Sequence, residues 1–194
     1  MGEKSANKRN YILDVARDIF AEKGYIAATM RDVVEKCAIS RGGVYLYFDN
    51  VKDLFEAVMV RELDGEAEFG KNIPDNANYT DVLKLFIKEQ KKVILSKKPN
   101  LTAAIYEYYF ENKVPAKENL LKQDFEASLY VLTELITNGI DAGEFYDIDA
   151  KRAAGNLMYL LEGLKIVAKT SGLTEKAVDE EIDYMLQGII AEEE

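Results

Sequence analysis

A short segment of the sequence, Ser40 to Tyr47, places hydroxyl groups and one arginine around two adjacent glycines. The planar guanidinium of Arg41 can bond a guanine edge through two hydrogen bonds, and it can equally bind a phosphate. Gly42 and Gly43 present no side chain, so the backbone there can approach a DNA groove about 12 Å wide. These residue types in this order predict recognition of double-stranded DNA.

Several neighbouring residues have the chemistry of DNA contacts. Hydroxyl groups and the free N–H groups of helix N-termini bind phosphate, and Lys52 adds a positive charge. Tyr45 and Leu46 can reach base edges or thymine methyl groups. For Thr29 and Ser40, helix capping is the alternative role, and one side chain can serve both roles. The predicted DNA-binding residues are Thr29, Arg31, Ser40, Arg41, Gly42, Gly43, Tyr45, Leu46, Tyr47 and Lys52.

Three helices must position these side chains. Apolar residues recur with helical spacing over 12–20, and Gly24 marks the end of that first helix. Thr29 and Asp32 have the spacing of a capping box at the start of a second helix. A turn of about three residues separates the second helix from a third helix, predicted over 41–48. Two short helices joined by a tight turn define a helix-turn-helix.

The third predicted helix has two different sides. Val44 and Phe48 are four residues apart and are predicted to belong to the core. Tyr45 and Tyr47 are predicted to lie on the opposite, exposed side. The capping pattern of Asn50 to Asp53 then predicts the start of a fourth, longer helix.

The segment over residues 8–55, above all Thr29 to Phe55, resembles the TetR family of bacterial transcriptional regulators. The resemblance is carried by Ser-Arg-Gly-Gly-Val-Tyr-x-Tyr-Phe followed by Lys-Asp-Leu-Phe, in the family's order and spacing. It implies that an inducer shifts the fourth helix and spreads the two recognition helices of a dimer. Two positions depart from the family pattern. Ala38 stands in the turn where glycine is frequent, and Gly43 stands where alanine or a small hydroxyl residue is frequent.

The remainder of the chain is predicted to be helical. The additional helices are predicted at about 79–96, 100–112, 115–142, 149–170 and 174–191, which gives about nine helices in an all-α chain. Residues 70–78 contain glycine, proline and asparagines and form the best linker candidate. We predict a helix-turn-helix DNA-binding domain over 1–48 and a helical ligand-binding and dimerisation domain over 49–194.

Aromatic residues are concentrated in the middle of the chain. Apolar cavities with a few polar groups are the usual small-molecule sites of helical proteins, which favours a small apolar or aromatic inducer. The carboxylates of Glu107 and Glu162 are candidates for orienting such a ligand. Ordinary core packing is the alternative for each aromatic residue. The predicted pocket residues are Phe86, Tyr106, Tyr109, Phe110, Phe125, Tyr130, Met158, Tyr159 and Glu162.

The distribution of charge favours a homodimer. Residues 1–48 carry eight Lys/Arg and six Asp/Glu, a net +2, whereas residues 49–194 carry 17 and 29, a net −12. A weakly basic domain gains affinity when two copies bind a palindromic operator about 34–36 Å apart. The apolar last two helices and the family resemblance predict pairing through those helices, with intrachain packing as the alternative. The predicted interface residues are Leu157, Leu161, Leu164, Ile182, Met185, Leu186 and Ile189.

The composition argues against an enzyme. The 194 residues include no histidine and one cysteine, Cys37, which excludes histidine-based triads and an internal disulfide. We expect no catalytic residues, no metal site and no cofactor. A buried, inert thiol is favoured over a redox sensor for Cys37 because it lies on the apolar side of its helix.

The sequence predicts where the protein acts and what it does. No signal peptide or transmembrane span is recognisable, which predicts a cytoplasmic protein with no membrane partner. The predicted function is transcription regulation by a ligand-responsive repressor that binds an operator as a dimer. The alternative is a helical interaction protein that has lost specific DNA binding, favoured by Gly43 and the acidic bulk of the chain.

Overall fold

A computed structural model describes residues 3–66 and 77–192, and within these ranges it contains nine α-helices and no β-strand. The helices are α1 (Glu3–Ala27), α2 (Met30–Cys37), α3 (Arg41–Tyr45), α4 (Val51–Glu66), α5 (Tyr79–Ile94), α6 (Thr102–Glu111), α7 (Leu120–Asp141), α8 (Ala150–Thr170) and α9 (Glu175–Gln187). The predicted all-α class and helix-turn-helix are confirmed. Helix α3 is shorter than predicted, and α7 begins later. Most of the predicted linker, 70–76, lies outside the described residues.

The helices group into two compact units. Unit 1 holds α1 to α4 together with α6, and unit 2 holds α5 together with α7 to α9. Helix α1 contacts α2, α4 and α6, which explains why α6 belongs to unit 1 although α5 precedes it in the chain. This grouping does not follow the predicted boundary after residue 48. That boundary stays a prediction about which part of the chain binds DNA.

The core of unit 1 is built around the predicted apolar stripe of α1. Ile12 and Phe20 of α1 are fully buried, as is Phe55 of α4. The rings of Phe20 and Phe55 pack edge to face with centroids 4.7 Å apart, and the rings of Tyr25 and Tyr108 do so at 5.1 Å. Edge-to-face aromatic pairs stabilise a core beyond the area that they bury. These contacts fix α1, α4 and α6 against one another.

Unit 2 has its own apolar core. Its fully buried side chains include Leu83, Leu132, Ile136, Leu157, Leu161 and Ile182. The carboxylate of Glu144 accepts hydrogen bonds from the backbone N–H groups of Tyr79 (3.2 Å) and Thr80 (2.8 Å), which satisfies free donors at the start of α5. Among the residues that the structure describes, none of the helices combines the length and apolar composition that a membrane span requires.

Candidate nucleic-acid interface

The start of α2 is ordered by the predicted capping box. The Oγ1 atom of Thr29 accepts a hydrogen bond from the Asp32 backbone N–H (3.2 Å), and Asp32 Oδ2 accepts one from the Thr29 N–H (2.9 Å). Lys23 at the end of α1 donates to Asp32 Oδ1 at 2.5 Å. Thr29 remains exposed. Its capping role is therefore compatible with a phosphate contact by the same helix end.

We expect Asp32 to titrate with a pKa of about 2, because hydrogen bonds from Lys23 and then Thr29 stabilise its carboxylate. A lowered folded-state pKa stabilises the fold above the unfolded-state pKa. That contribution is lost as the pH falls from 3.8 towards about 2. Carboxyl ¹³C NMR titration measures this pKa, and Lys23→Met should raise it. A wild-type Asp32 that titrates at its ordinary value would contradict the contact.

The turn between α2 and α3 places Ala38 in the left-handed region, with φ 54° and ψ 31°. The Ala38 N–H donates to the carbonyl oxygen of Glu35 at 3.3 Å and closes the end of α2. Within the described residues, Ala38 is the only non-glycine residue with positive φ. The departure from the family's frequent glycine therefore leaves the turn geometry intact and adds local backbone strain, because Cβ crowds the following carbonyl group.

We expect Ala38→Gly to raise the free energy of unfolding by about 0.5–1 kcal/mol, because relief of left-handed strain exceeds the added flexibility of the unfolded chain. Urea unfolding followed by circular dichroism measures the change. Ala127→Gly on the exposed side of α7 is the matched control, and it should lose about 1 kcal/mol. Equal losses for both variants would contradict the strain at Ala38.

Helix α3 presents a narrow outer face. Ser40 caps it by accepting a hydrogen bond from the Gly43 N–H at 3.3 Å. Val44 is fully buried and Phe48 nearly so, which confirms their predicted place in the core. On the opposite side, Leu46 is 77% exposed. A Cβ added at Gly42 would meet nothing within 4 Å, so Gly42 and Leu46 lie on the exposed outer side of this segment.

The positions of the two tyrosine side chains in this segment differ from the prediction. Tyr45 and Tyr47 are half-buried and pack against the core of unit 1, so they flank Val44 and do not lie opposite it. The hydroxyl group of Tyr47 lies 3.1 Å from Ser5 Oγ. The guanidinium of Arg41 stacks over the Tyr45 ring at 5.2 Å, a cation–π arrangement. The α helix has 3.6 residues per turn, which places these neighbours on its flanks.

Two other predicted DNA-binding residues, Arg31 and Lys52, already have acidic partners. Arg31 donates to Glu35 at 2.7 Å, and Lys52 lies 3.8 Å from Glu56. Each pair joins residues four positions apart on an exposed helix surface. Exposed pairs of this kind contribute little to stability, so a phosphate can replace the carboxylate at little cost.

Helix α6 contributes contacts that sequence reasoning missed. Tyr108 is buried and donates a hydrogen bond to Glu56 of α4. Burial, and then this hydrogen bond, raise the pKa of the Tyr108 hydroxyl. Glu107 Oε2 accepts a hydrogen bond from the Ile26 N–H at 3.0 Å, so its carboxylate holds the end of α1. Glu56 and Tyr108 are 52 residues apart, and no local pattern indicates such a pair.

The structure divides the predicted pocket residues between the two units. Tyr106, Tyr109 and Phe110 lie on α6 of unit 1, and the other six lie in unit 2. Three of the rings, those of Phe110, Tyr130 and Tyr159, are largely exposed and do not line an enclosed cavity within their own unit. The side chains that remain inside unit 2 are Phe86, Phe125, Met158 and Glu162.

The predicted interface residues belong to the core of unit 2. Five of them are buried within the protomer, namely Leu157, Leu161, Leu164, Ile182 and Ile189. Met185 and Leu186 are half-buried and pack against the same core. Intrachain packing, the alternative to the dimer interface, therefore accounts for these side chains. The exposed apolar residues of α8 and α9 are Tyr159, Ile166, Val167 and Tyr184.

Cys37 is buried on the inner side of α2. Burial raises the pKa of its thiol, so the thiolate that reacts with oxidants is disfavoured. This environment supports the inert role.

Two family models match the chain. The model "Bacterial regulatory proteins, tetR family" matches residues 12–58, which include α2, α3 and the capped start of α4. The model "Tetracyclin repressor-like, C-terminal domain" matches residues 82–179, about half of the chain.

Individual relatives agree with these models. The HTH-type transcriptional regulator YfiR of Bacillus subtilis is 28% identical over 158 residues, 75% of this chain and 72% of that protein. The HTH-type transcriptional repressor AcnR of Corynebacterium glutamicum is 42% identical over 57 residues, 29% of this chain and 30% of that protein. A solved TetR-family regulator from Agrobacterium tumefaciens has a TM-score of 0.77 at 21% identity, covering 96% of this chain and 100% of that one.

Proposed function

The chain belongs to the TetR family of bacterial regulatory proteins, and from this premise we propose that it binds a palindromic operator as a homodimeric repressor. The observation that carries the proposal is the outer face of α3. Gly42 and Leu46 offer a slim surface to a major groove, and Arg41 stands beside it with its guanidinium held over Tyr45. Arg31 and Lys52 exchange their carboxylate partners for operator phosphates.

The dimer forms through an exposed stripe of α8. Tyr159, Gly163, Ile166 and Val167 recur at three- and four-residue spacing and are all exposed in the protomer. A Cβ added at Gly163 would meet nothing within 4 Å, so a helix of a second copy can approach closely there. Helical bundles pack through such stripes. Two protomers joined this way present two recognition helices to the two halves of a palindrome.

The inducer site lies in unit 2. Half-buried Phe125 and buried Met158 are the apolar side chains proposed to line it, and the exposed ring of Tyr159 packs on Phe125 from outside with centroids 5.3 Å apart. Half-buried Asp124 has a raised pKa, chiefly because of burial, and the charge of Lys165 opposes this shift while that of Glu162 adds to it. Aromatic surface next to a few polar groups suits a small apolar or aromatic inducer.

The inducer releases DNA by favouring a state in which α4 has shifted. Helix α4 is tied to α1 by the two hydrogen bonds of Arg17 with Glu62, at 2.9 and 2.8 Å, and to α6 by the Tyr108–Glu56 hydrogen bond. A displaced α4 therefore moves with the helices that hold α3. The ligand weakens operator binding only by as much as it prefers the shifted state.

Selection of bound sequences from a random double-stranded DNA pool tests the proposal. The selection is run with the full chain at two salt concentrations, with an Arg41→Ala, Tyr47→Phe variant in parallel. We expect an enriched palindrome that the variant loses, and steeply weaker binding at higher salt. Loss of Arg41 alone should cost about 1–3 kcal/mol if it reads a guanine.

The opposite result points to the alternative function. If no sequence is enriched at low salt, with or without added ligand, the protein is not a DNA reader. The helical interaction protein then becomes the better explanation of the fold.

A further inference from the structure

The ammonium group of Lys8 lies beside the bare backbone of α3 at Gly43. A Cβ added at Gly43 would lie 3.2 Å from Lys8 Nζ, and it would come closer to two atoms of the preceding turn, Ile39 Cγ2 at 2.7 Å and Ser40 Oγ at 3.1 Å. Lys8 belongs to α1 and precedes Gly43 by 35 residues. The recognition helix is thus bare at this position, and Lys8 is the charged group that another helix places next to it.

Two further contacts fix the beginning of α1 along α3. Ser5 Oγ lies 3.1 Å from the Tyr47 hydroxyl group, and the Arg9 guanidinium lies 5.2 Å from the centroid of the Phe48 ring. Residues at i, i+3 and i+4 share one face of a helix, so Ser5, Lys8 and Arg9 face α3 together. Their contacts hold Lys8 beside α3.

Lys8 carries a charge without an acidic partner. Within the described part of the chain, no carboxylate lies within 4 Å of its ammonium group, whereas Lys23, Lys36 and Lys52 of the same unit each have one. An ammonium group that no carboxylate neutralises is available to an external anion. Because Lys8 is half-buried against α3, that anion must approach along the flank of the recognition helix.

The position of Lys8 on the flank of α3 favours a contact with a phosphate over a contact with a base edge. Gly42 and Leu46 lie on the exposed outer side of α3 and the turn after it, and Gly43 and Tyr47 lie on the side next to α1. When the outermost surface of a helix enters the major groove, its flanks face the walls of the groove, where the phosphates are. A lysine ammonium binds phosphate as a point charge, without needing the two-pronged geometry that reads guanine.

We propose that Lys8 binds a phosphate of the operator backbone and so completes the recognition helix at Gly43 from α1. The inference rests on the proposed operator binding and adds a contact that lies outside the helix-turn-helix. It also gives the glycine at Gly43 a role: the contact comes from α1, and a side chain at position 43 would crowd Ile39 Cγ2 and Ser40 Oγ as well as Lys8 Nζ.

The test measures operator affinity of the full-length protein across a series of salt concentrations. The operator is the sequence enriched in the selection described above. The variants are Lys8→Gln and Lys8→Arg, with Lys84→Gln on the exposed side of α5 as the control for loss of one positive charge. We expect Lys8→Gln to weaken binding to all sequences by a similar factor and to lower the salt slope by about one per protomer. Lys8→Arg should retain the slope, and Lys84→Gln should leave it unchanged.

Three results would count against the phosphate contact. An unchanged slope for Lys8→Gln overturns it, as does an equal loss of slope for Lys84→Gln. A change of preference at one base pair, with the slope retained, makes Lys8 a base reader and also overturns it. If the wild-type protein itself enriches no DNA, operator binding has failed, and that result is separate from any effect of Lys8.

Discussion

Ile166→Glu is expected to convert the proposed homodimer to a monomer and to weaken operator binding by about 10²- to 10⁴-fold, because the linked second half-site contact is lost. Ile166 is 41% exposed in the protomer and lies on the proposed α8 stripe next to Val167. In the proposed dimer, each protomer would bury one such carboxylate in the α8 interface. Two buried like charges without partners are strongly unfavourable, so the two helices separate.

The control for this variant is Val93→Glu. Val93 is an apolar residue of α5 with a similar exposure, 39%, and it lies outside the α8 stripe. Light scattering after size-exclusion chromatography gives the mass of each variant, and circular dichroism verifies the fold. We expect Val93→Glu to remain a dimer that binds the operator. If Ile166→Glu remains a dimer, the α8 stripe is not the interface. The same conclusion follows if the wild-type protein is a monomer that still binds a palindrome tightly.

Gly24→Ala is expected to lower the free energy of unfolding by about 2–4 kcal/mol. Gly24 interrupts α1 with φ 79° and ψ 176°, a conformation that is essentially restricted to glycine. An added Cβ would also lie 2.5 Å from Glu107 Oε2. That oxygen accepts a hydrogen bond from Ile26 N–H, so the carboxylate can move aside only by leaving this donor without its partner.

Gly172→Ala places alanine at a similar positive φ without a contact to Glu107. Gly172 has φ +78°, close to that of Gly24, but an added Cβ there would meet nothing within 4 Å. We expect this variant to lose only about 1 kcal/mol, from backbone strain. Urea unfolding measures the free energy of unfolding of both glycine variants. The changes caused by Gly24→Ala and Glu107→Ala should not add up in the double variant. The Glu107 contact contributes nothing if the two glycine variants lose the same free energy of unfolding and the changes of Gly24→Ala and Glu107→Ala are additive.

Local patterns predicted the helical elements and the ends of several helices well. The Thr29 capping box, the Ser40 cap and the core positions Val44 and Phe48 occur where the sequence predicted them. The turn at Ala38 is where it was predicted, and the positive φ of Ala38 was seen only in the structure. Each of these features depends on residues within about four positions of one another, and short-range hydrogen bonds and helical periodicity govern such features. The shorter α3 shows the limit, since helix ends depend on packing as well as on propensity.

Amino-acid composition and short motifs alone were enough to establish an all-helical chain, a helix-turn-helix and the absence of histidine chemistry. Composition and motifs did not predict which element packs against each apolar helix face. Leu157 and Ile182 were assigned to a dimer interface, yet they lie in the core of unit 2, because periodicity identifies a buried face without identifying its neighbour.

The placement of α6 against α1, and of Lys8 beside Gly43, depends on folding of the whole unit. Contacts between residues far apart in the chain depend on complementary shape and charge in three dimensions. A local sequence pattern therefore does not predict them.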